Sequence, residues 1–137
     1  MKKEKLLKHF EKDTYAKLLG IKVEDVEDGY AKVSMTITDD MLNFHGSANG
    51  GATFSLADTA FAVASNSYGT TAVGVTMTMH YMKAVNSGTK LVAIAREDSK
   101  NPKLGLYRIE LFDTENDDLI GIAEGMVYRK KENFIEE

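Results

Sequence analysis

The sequence predicts an α+β fold in which one long helix is wrapped by a curved antiparallel β-sheet. Three observations lead there. Between Ala52 and Ser65 runs a stretch of helical composition, with five alanines, two phenylalanines, Leu56 and Val63. Four segments follow in which apolar residues alternate with polar or small ones, separated by turn-forming residues. Strands joined by such short loops do not read as repeated βαβ units, which argues against a doubly wound sheet. An antiparallel sheet must bury one face, and a single apolar helix of about fourteen residues laid against it satisfies both elements.

Taken in order, residues 3–19 predict a short amphipathic helix, with Leu7, Phe10, Thr14 and Leu18 on one side and Gly20 as its stop. From Ile21 the period changes. Val23 and Val26 precede the turn Asp28-Gly29, and Val33, Met35 and Ile37 then alternate with polar residues as a half-exposed strand. Thr38-Asp39-Asp40 ends it and opens a loop carrying Asn43 and His45. Gly50-Gly51 permits a sharp entry into the long helix. After Tyr68-Gly69, the stretch from Thr71 to Met82 predicts a strand, with Val73, Val75, Met77, Met79 and Tyr81 on one face and Thr76, Thr78 and His80 on the other. Lys90 to Arg96 forms the next strand, and Lys100-Asn101-Pro102 breaks it. The alternation of Tyr107, Ile109 and Leu111 marks another. A hairpin at Asn116-Asp117-Asp118 leads to the last strand, Leu119 to Tyr128, where Gly121, Ala123 and Gly125 make a face of small side chains open to close helix packing. Residues 1–137 read as a single domain with a short N-terminal helix.

A chain of 137 residues with 43% apolar content supports one hydrophobic core. A net charge of -4 gives no sign of a nucleic-acid binder. There is no cysteine, hence no disulfide framework and no thiolate chemistry, which fits a cytoplasmic protein. The charged start MKKEKLLKHFEKD lacks the apolar core of a signal peptide, and no apolar run reaches bilayer length, so no membrane insertion is expected. Three scattered histidines lack metal-site spacing. No P-loop, GxGxxG or GxSxG is present, and Met77, Met79 and Met82 read as packing residues.

Asp58 stands apart as the only acid between Met41 and Arg96, set in an apolar helix beside Phe54, Phe61 and Ala62. Aspartate is a poor helix-interior residue, so it needs a partner or a task. The task suggested by its surroundings is hydrolytic: a helix N-terminus at Gly50-Gly51 offers unpaired N–H groups to polarise a carbonyl, and a carboxylate two turns on can activate water. The plainer alternative is a structural pair between Asp58 and a nearby hydroxyl or N–H, with Asn49 or Ser47 capping an ordinary turn.

The segment from Asn43 to Asn66, NFHGSANGGATFSLADTAFAVASN, closely resembles the hotdog-fold acyl-CoA thioesterases of the phenylacetic-acid-degradation type. The likeness continues through TAVGVTMTMHY and Gly105-Leu106-Tyr107, and spans roughly residues 15–130. It implies a hotdog fold, a homodimer or homotetramer with sheets joined side by side, a site between protomers, and no cofactor beyond the coenzyme A of the substrate. It also implies roles: Asp58 as the catalytic acid, Gly50 as the N–H that polarises the thioester carbonyl, Asn43 as an orienting group, and Thr76 as the partner strand's hydroxyl. His45 matches a histidine common in the same loop. The family usually reads His-Gly-Gly where this chain has Asn49-Gly50-Gly51; asparagine cannot relay a proton near neutral pH, but it can cap and hydrogen-bond.

The remaining substrate contacts expected around that centre are Asn49, Gly51, Phe54, Phe61, His80 and Lys83, with Lys90, Arg96, Lys100 and Lys103 as further cations for the phosphates of coenzyme A. Two alternatives stand beside hydrolysis: a non-catalytic acyl-CoA binding or scaffold domain, and a hydratase or dehydratase of acyl thioesters. The second normally needs a histidine beside the acid, and only His45 is placed for it.

Overall fold

Segments that alternate apolar and polar residues pair as strands, and the alanine-rich segment between them supplies the apolar cylinder they close around. The computed structural model describes residues 1–135. In chain order it contains helices α1 (Lys2–Phe10) and α2 (Thr14–Leu18), strands β1 (Lys22–Glu27) and β2 (Tyr30–Thr36), a single 3₁₀ turn at Asp39–Met41, and helix α3 (Gly50–Ser65). Strands β3 (Thr70–Tyr81), β4 (Lys90–Lys100), β5 (Leu104–Asp113) and β6 (Asp118–Asn133) complete it. All neighbours are antiparallel, in the order β1-β2-β4-β5-β6-β3. This is the hotdog arrangement expected: α3 lies in the hollow of the sheet, with Leu56, Ala57, Ala60 and Ala64 fully buried against Val33, Leu91, Ile109 and Leu111.

The small-residue face on β6 works as anticipated. Phe61 lies under it, edge-on to Tyr107 at 6.0 Å between ring centroids. A Cβ on Gly125 would come within 2.7 Å of the Phe61 ring, and one on Gly74 within 3.2 Å. Glycine at those positions therefore lets the helix sit about a methyl group closer to the sheet.

Four features differ from the sequence expectation. The N-terminal helix is two helices, because the Asp13 carboxylate accepts the Ala16 N–H at 2.9 Å and starts α2 afresh. That break turns Leu18 out to solvent while Leu6 and Ala16 are buried. The long helix begins two residues early, at Gly50. The strand after it does not pair with its sequence neighbour: β4 joins β2, and β3 crosses to β6 and forms one edge of the sheet. Finally, a bulge between Gly74 and Thr76 reverses the faces of β3 halfway along. Gly74, Met77 and Met79 turn to the helix, and Val73 and Val75 are exposed.

Candidate active site at the helix N-terminus and the open face of α3

The entry to α3 is built by its own loop. Asn43 Oδ1 accepts the N–H groups of His45 at 2.8 Å and Ser47 at 3.2 Å, closing a tight turn in which Gly46 takes a positive φ of 83°. The Asn49 N–H donates to Met41 O at 2.7 Å, and its side-chain Oδ1 accepts the Gly51 N–H at 2.8 Å. Asn49 is thus the helix cap, the role asparagine fills best. Ala52 and Thr53 donate to Asn49 O. Among the described residues the Gly50 N–H meets no acceptor, so one donor remains open at the positive end of the helix. The ring of Tyr81 stands over Gly50, with its Cε1 3.3 Å from where a Cβ would be.

Two turns further on, Asp58 emerges on the stripe Gly51, Ser55, Asp58 and Ala62 that the sheet leaves uncovered. The residue is exposed, and among the described residues its carboxylate has neither a hydrogen-bond nor an ion-pair partner. The structural pair expected as the plainer alternative is therefore not present among the described residues. Crowding by surrounding protein atoms raises the Asp58 pKa above the ordinary aspartate value, with the negative charge of Asp13 adding a smaller push. One turn before it, Ser55 Oγ donates to Gly51 O at 2.8 Å and lies 3.0 Å from the Tyr15 hydroxyl. So α2 is laid along the same open stripe.

The other expected residues divide. Phe54 is half-buried on α3 near the stripe, whereas Phe61 is buried in the core and forms the floor beneath β6. His45 is exposed and stacks on Phe44 at 4.4 Å, at the tip of the loop. Thr76 and His80 pair with Met126 and Ile122 and sit with them on the outer face of the sheet, turned away from α3. There His80 and Thr78 border a shallow hollow with Arg108 and Glu124. Lys83 pairs with Asp118 at 2.5 Å, Arg96 lies over the Tyr30 ring at 5.1 Å, and Lys100 over Tyr68 at 4.1 Å. Lys90 and Lys103 are exposed at strand ends. A single chain thus gathers Asn43, Asn49, Gly50 and Gly51 at one place, Asp58 at another, and Thr76 and His80 at neither.

Two contributors escaped the sequence reading: Tyr81, over the open donor, and Tyr15, bonded to the Asp58 stripe. Their partners, Gly50 and Ser55, are 31 and 40 residues away in the chain, and no spacing rule links such positions. Among the described residues, no three histidine, aspartate or glutamate side chains gather as metal ligands, and no helix is long and apolar enough to cross a membrane.

A central helix laid in a curled six-stranded antiparallel sheet is the hotdog fold, the fold of the thioesterase class. The chain belongs to the thioesterase superfamily, whose family model matches residues 45–120, and is closely related to the PaaI type of acyl-CoA thioesterase. It is 42% identical over 106 residues to the acyl-coenzyme A thioesterase PaaI of Escherichia coli K12, covering 77% of this chain and 76% of that protein. The solved structure of the E. coli PaaI protein superposes with a TM-score of 0.90 at 35% identity, over 97% of this chain and 99% of that one. The TT0310 protein of Thermus thermophilus gives a TM-score of 0.82 at 35% identity, over 86% and 98%.

Proposed function

We propose that the chain hydrolyses acyl-CoA thioesters to free acid and coenzyme A, at a site formed between two protomers. The spacing of Gly50 and Asp58 on one helix carries this reading. Eight residues apart, they are separated by about 12 Å along the axis. A carbonyl held by one N–H and attacked by base-activated water needs both groups within hydrogen-bond reach, about 3 Å, of the reacting atoms. The Gly50 N–H of one protomer therefore works with Asp58 of the partner subunit.

The β3 edge supplies the means of assembly. It is twelve residues long, lies at the sheet margin, and exposes Val73, Val75 and Tyr81, with Met82 exposed just beyond its end, a strand edge of the kind that pairs with another chain. Antiparallel pairing of two such edges brings the Thr70 end of one protomer beside the Tyr81 end of the other. The uncovered stripe of each α3 then faces the partner's helix N-terminus. The homodimer is the catalytic unit, and two of them form a homotetramer.

In the proposed reaction the thioester carbonyl oxygen accepts the Gly50 N–H. The charge that develops on it is stabilised by that donor and by the positive end of α3. Asp58 takes a proton from water as its oxygen adds to the carbonyl carbon, the carbon–sulfur bond then breaks, and the sulfur of coenzyme A leaves with a proton. Direct addition of the carboxylate, followed by hydrolysis of the anhydride, uses the same two groups. Asn49 fixes the turn that aims Gly50, and Asn43 shapes the loop before it. The similarity to the acyl-coenzyme A thioesterase PaaI of Escherichia coli supports the substrate class. Replacing Asp58→Asn tests the proposal. Thiol release should fall at least about a hundredfold, with acyl-CoA affinity and oligomeric state retained. Turnover within a fewfold of wild type would end the assignment, and a wild type that binds acyl-CoA without releasing thiol would make the chain a binder.

A further inference from the structure

A groove of about 740 Å³ runs between α3 and the two N-terminal helices, a size that suits a small-molecule site. Leu7, Phe10 and Ala16 form one wall, Ala62 and Val63 of α3 the other, and Phe134 stands at the end. The polar side chains that α3 contributes are already engaged. Thr59 Oγ1 donates to Ser55 O at 2.8 Å, and the Asn66 amide is tied to Ala72 by two hydrogen bonds, of 2.9 and 3.2 Å. Most of the surface left for an occupant is apolar, and the charged Glu11, Lys12, Asp13, Lys17 and Lys22 border it. The far end is closed where His9 stacks on Phe134 at 4.6 Å.

Two observations connect this groove to Asp58. Ala62 is exposed and lies four residues after Asp58, one turn along the same stripe. Asp13 stands at the rim and is the charge that acts on Asp58. From Thr59 to Asn66 the groove follows α3 for about 10 Å, close to the length of an extended octanoyl chain and longer than an arylacetyl group needs. Resting on the thioesterase reading above, we propose that this groove is the acyl subsite, and that it selects linear medium-chain acyl groups which run from Asp58 along α3 beneath α1 and α2.

The test compares thiol release and equilibrium binding for acetyl-, butanoyl-, octanoyl-, dodecanoyl- and phenylacetyl-CoA, in the wild type and two variants. Each buried methylene strengthens binding by about fourfold, so the wild type should favour octanoyl-CoA. Ala62→Phe fills the groove a turn below Asp58 and should lower the octanoyl-to-acetyl ratio of kcat/KM at least about tenfold. Phe134→Ala opens the far end and should move the optimum toward dodecanoyl-CoA. These shifts run in opposite directions, which a general loss of folding cannot produce, and Phe134→Ala carries the test alone if Ala62→Phe does not fold. An unchanged chain-length profile in folded variants, or a wild type that prefers phenylacetyl-CoA, would overturn the assignment. If the wild type releases thiol from none of the thioesters, the hydrolytic reading fails by itself, and the chain-length dependence of binding still decides the groove.

Discussion

The ring of Tyr81 closes over Gly50, so that a methyl at Gly50 would lie 3.3 Å from Cε1 and 3.4 Å from Cζ. That is tighter than ordinary packing, but the atoms met belong to the outer part of a side chain, not to backbone, and a shift of a few tenths of an ångström relieves the contact. Gly50→Ala should therefore fold, and it keeps the N–H.

Deleting that N–H is possible here because Gly50 is the first residue of α3, the one helical position where proline is tolerated. Asn49 before it already has φ -63° and ψ 135°, the extended geometry that precedes proline. Gly50→Pro should keep the helix and lose about a hundred- to a thousandfold in turnover relative to Gly50→Ala, the usual effect of removing an oxyanion donor. Circular dichroism and thiol release on both variants check this. Equal activity in the two would show that the Gly50 N–H does not hold the carbonyl.

The pKa of Asp58 separates stability from activity. It is raised above the ordinary value of 3.8, first by partial desolvation from the protein atoms crowded around it and second by Asp13. A raised acid favours folding in its protonated form, and that contribution is present below the unfolded pKa and lost as pH rises through the folded one. Asp58→Asn should thus melt no lower than wild type at neutral pH, and the difference should vanish in acid. Catalysis runs the other way, because a base works only when ionised. The fall in kcat/KM with decreasing pH should therefore lie above the ordinary aspartate range. Asp13→Asn preserves the cap on Ala16, since asparagine caps as well as aspartate, and removes the charge. Its acid limb should move to lower pH. A limb that stays in place would show that Asp13 does not act on Asp58.

How far the sequence reached can be judged from the same residues. Asp58 was conspicuous because a lone acid in an alanine-rich helix violates local preference, and such violations mark sites. The helix and the strands β2 and β5 were legible because their residues obey one period throughout. The faces of β3 were not, because the bulge at Val75 lies inside an unbroken Val–Thr–Met alternation that gives no sign of it. The crossing of β3 to β6 was hidden for another reason. Turn signals specify which strands follow one another, while the edge position of β3 depends on the sheet closing around α3. Asp13 as a helix cap was readable in principle, but the apolar period from Leu7 to Leu18 ran straight through it. The groove between α1, α2 and α3 arises only from tertiary packing, and no local pattern announces it.

The division of the site between protomers admits a direct test with two inactive proteins. Asp58→Asn retains a functional Gly50 N–H, and Gly50→Pro retains a functional Asp58. If each site draws Gly50 from one protomer and Asp58 from its partner, a heterodimer of the two variants contains one site with both groups intact and one with neither. Random reassortment makes half of the dimers heterodimers, and half of their sites are whole, so about a quarter of wild-type turnover should return on mixing. The proteins must be dissociated and reassembled together, and their exchange followed with distinguishable tags. The concentration dependence adds a second check, because turnover of the wild type should vanish as the dimer dissociates. If both groups of a site came from one chain, no mixture could recover activity, since every protomer would carry one lesion. Absence of recovery in verified heterodimers, or full turnover by a monomer, would place the reaction within a single protomer. The separation of about 12 Å between Gly50 and Asp58 would then have to be closed by a rearrangement of α3 itself.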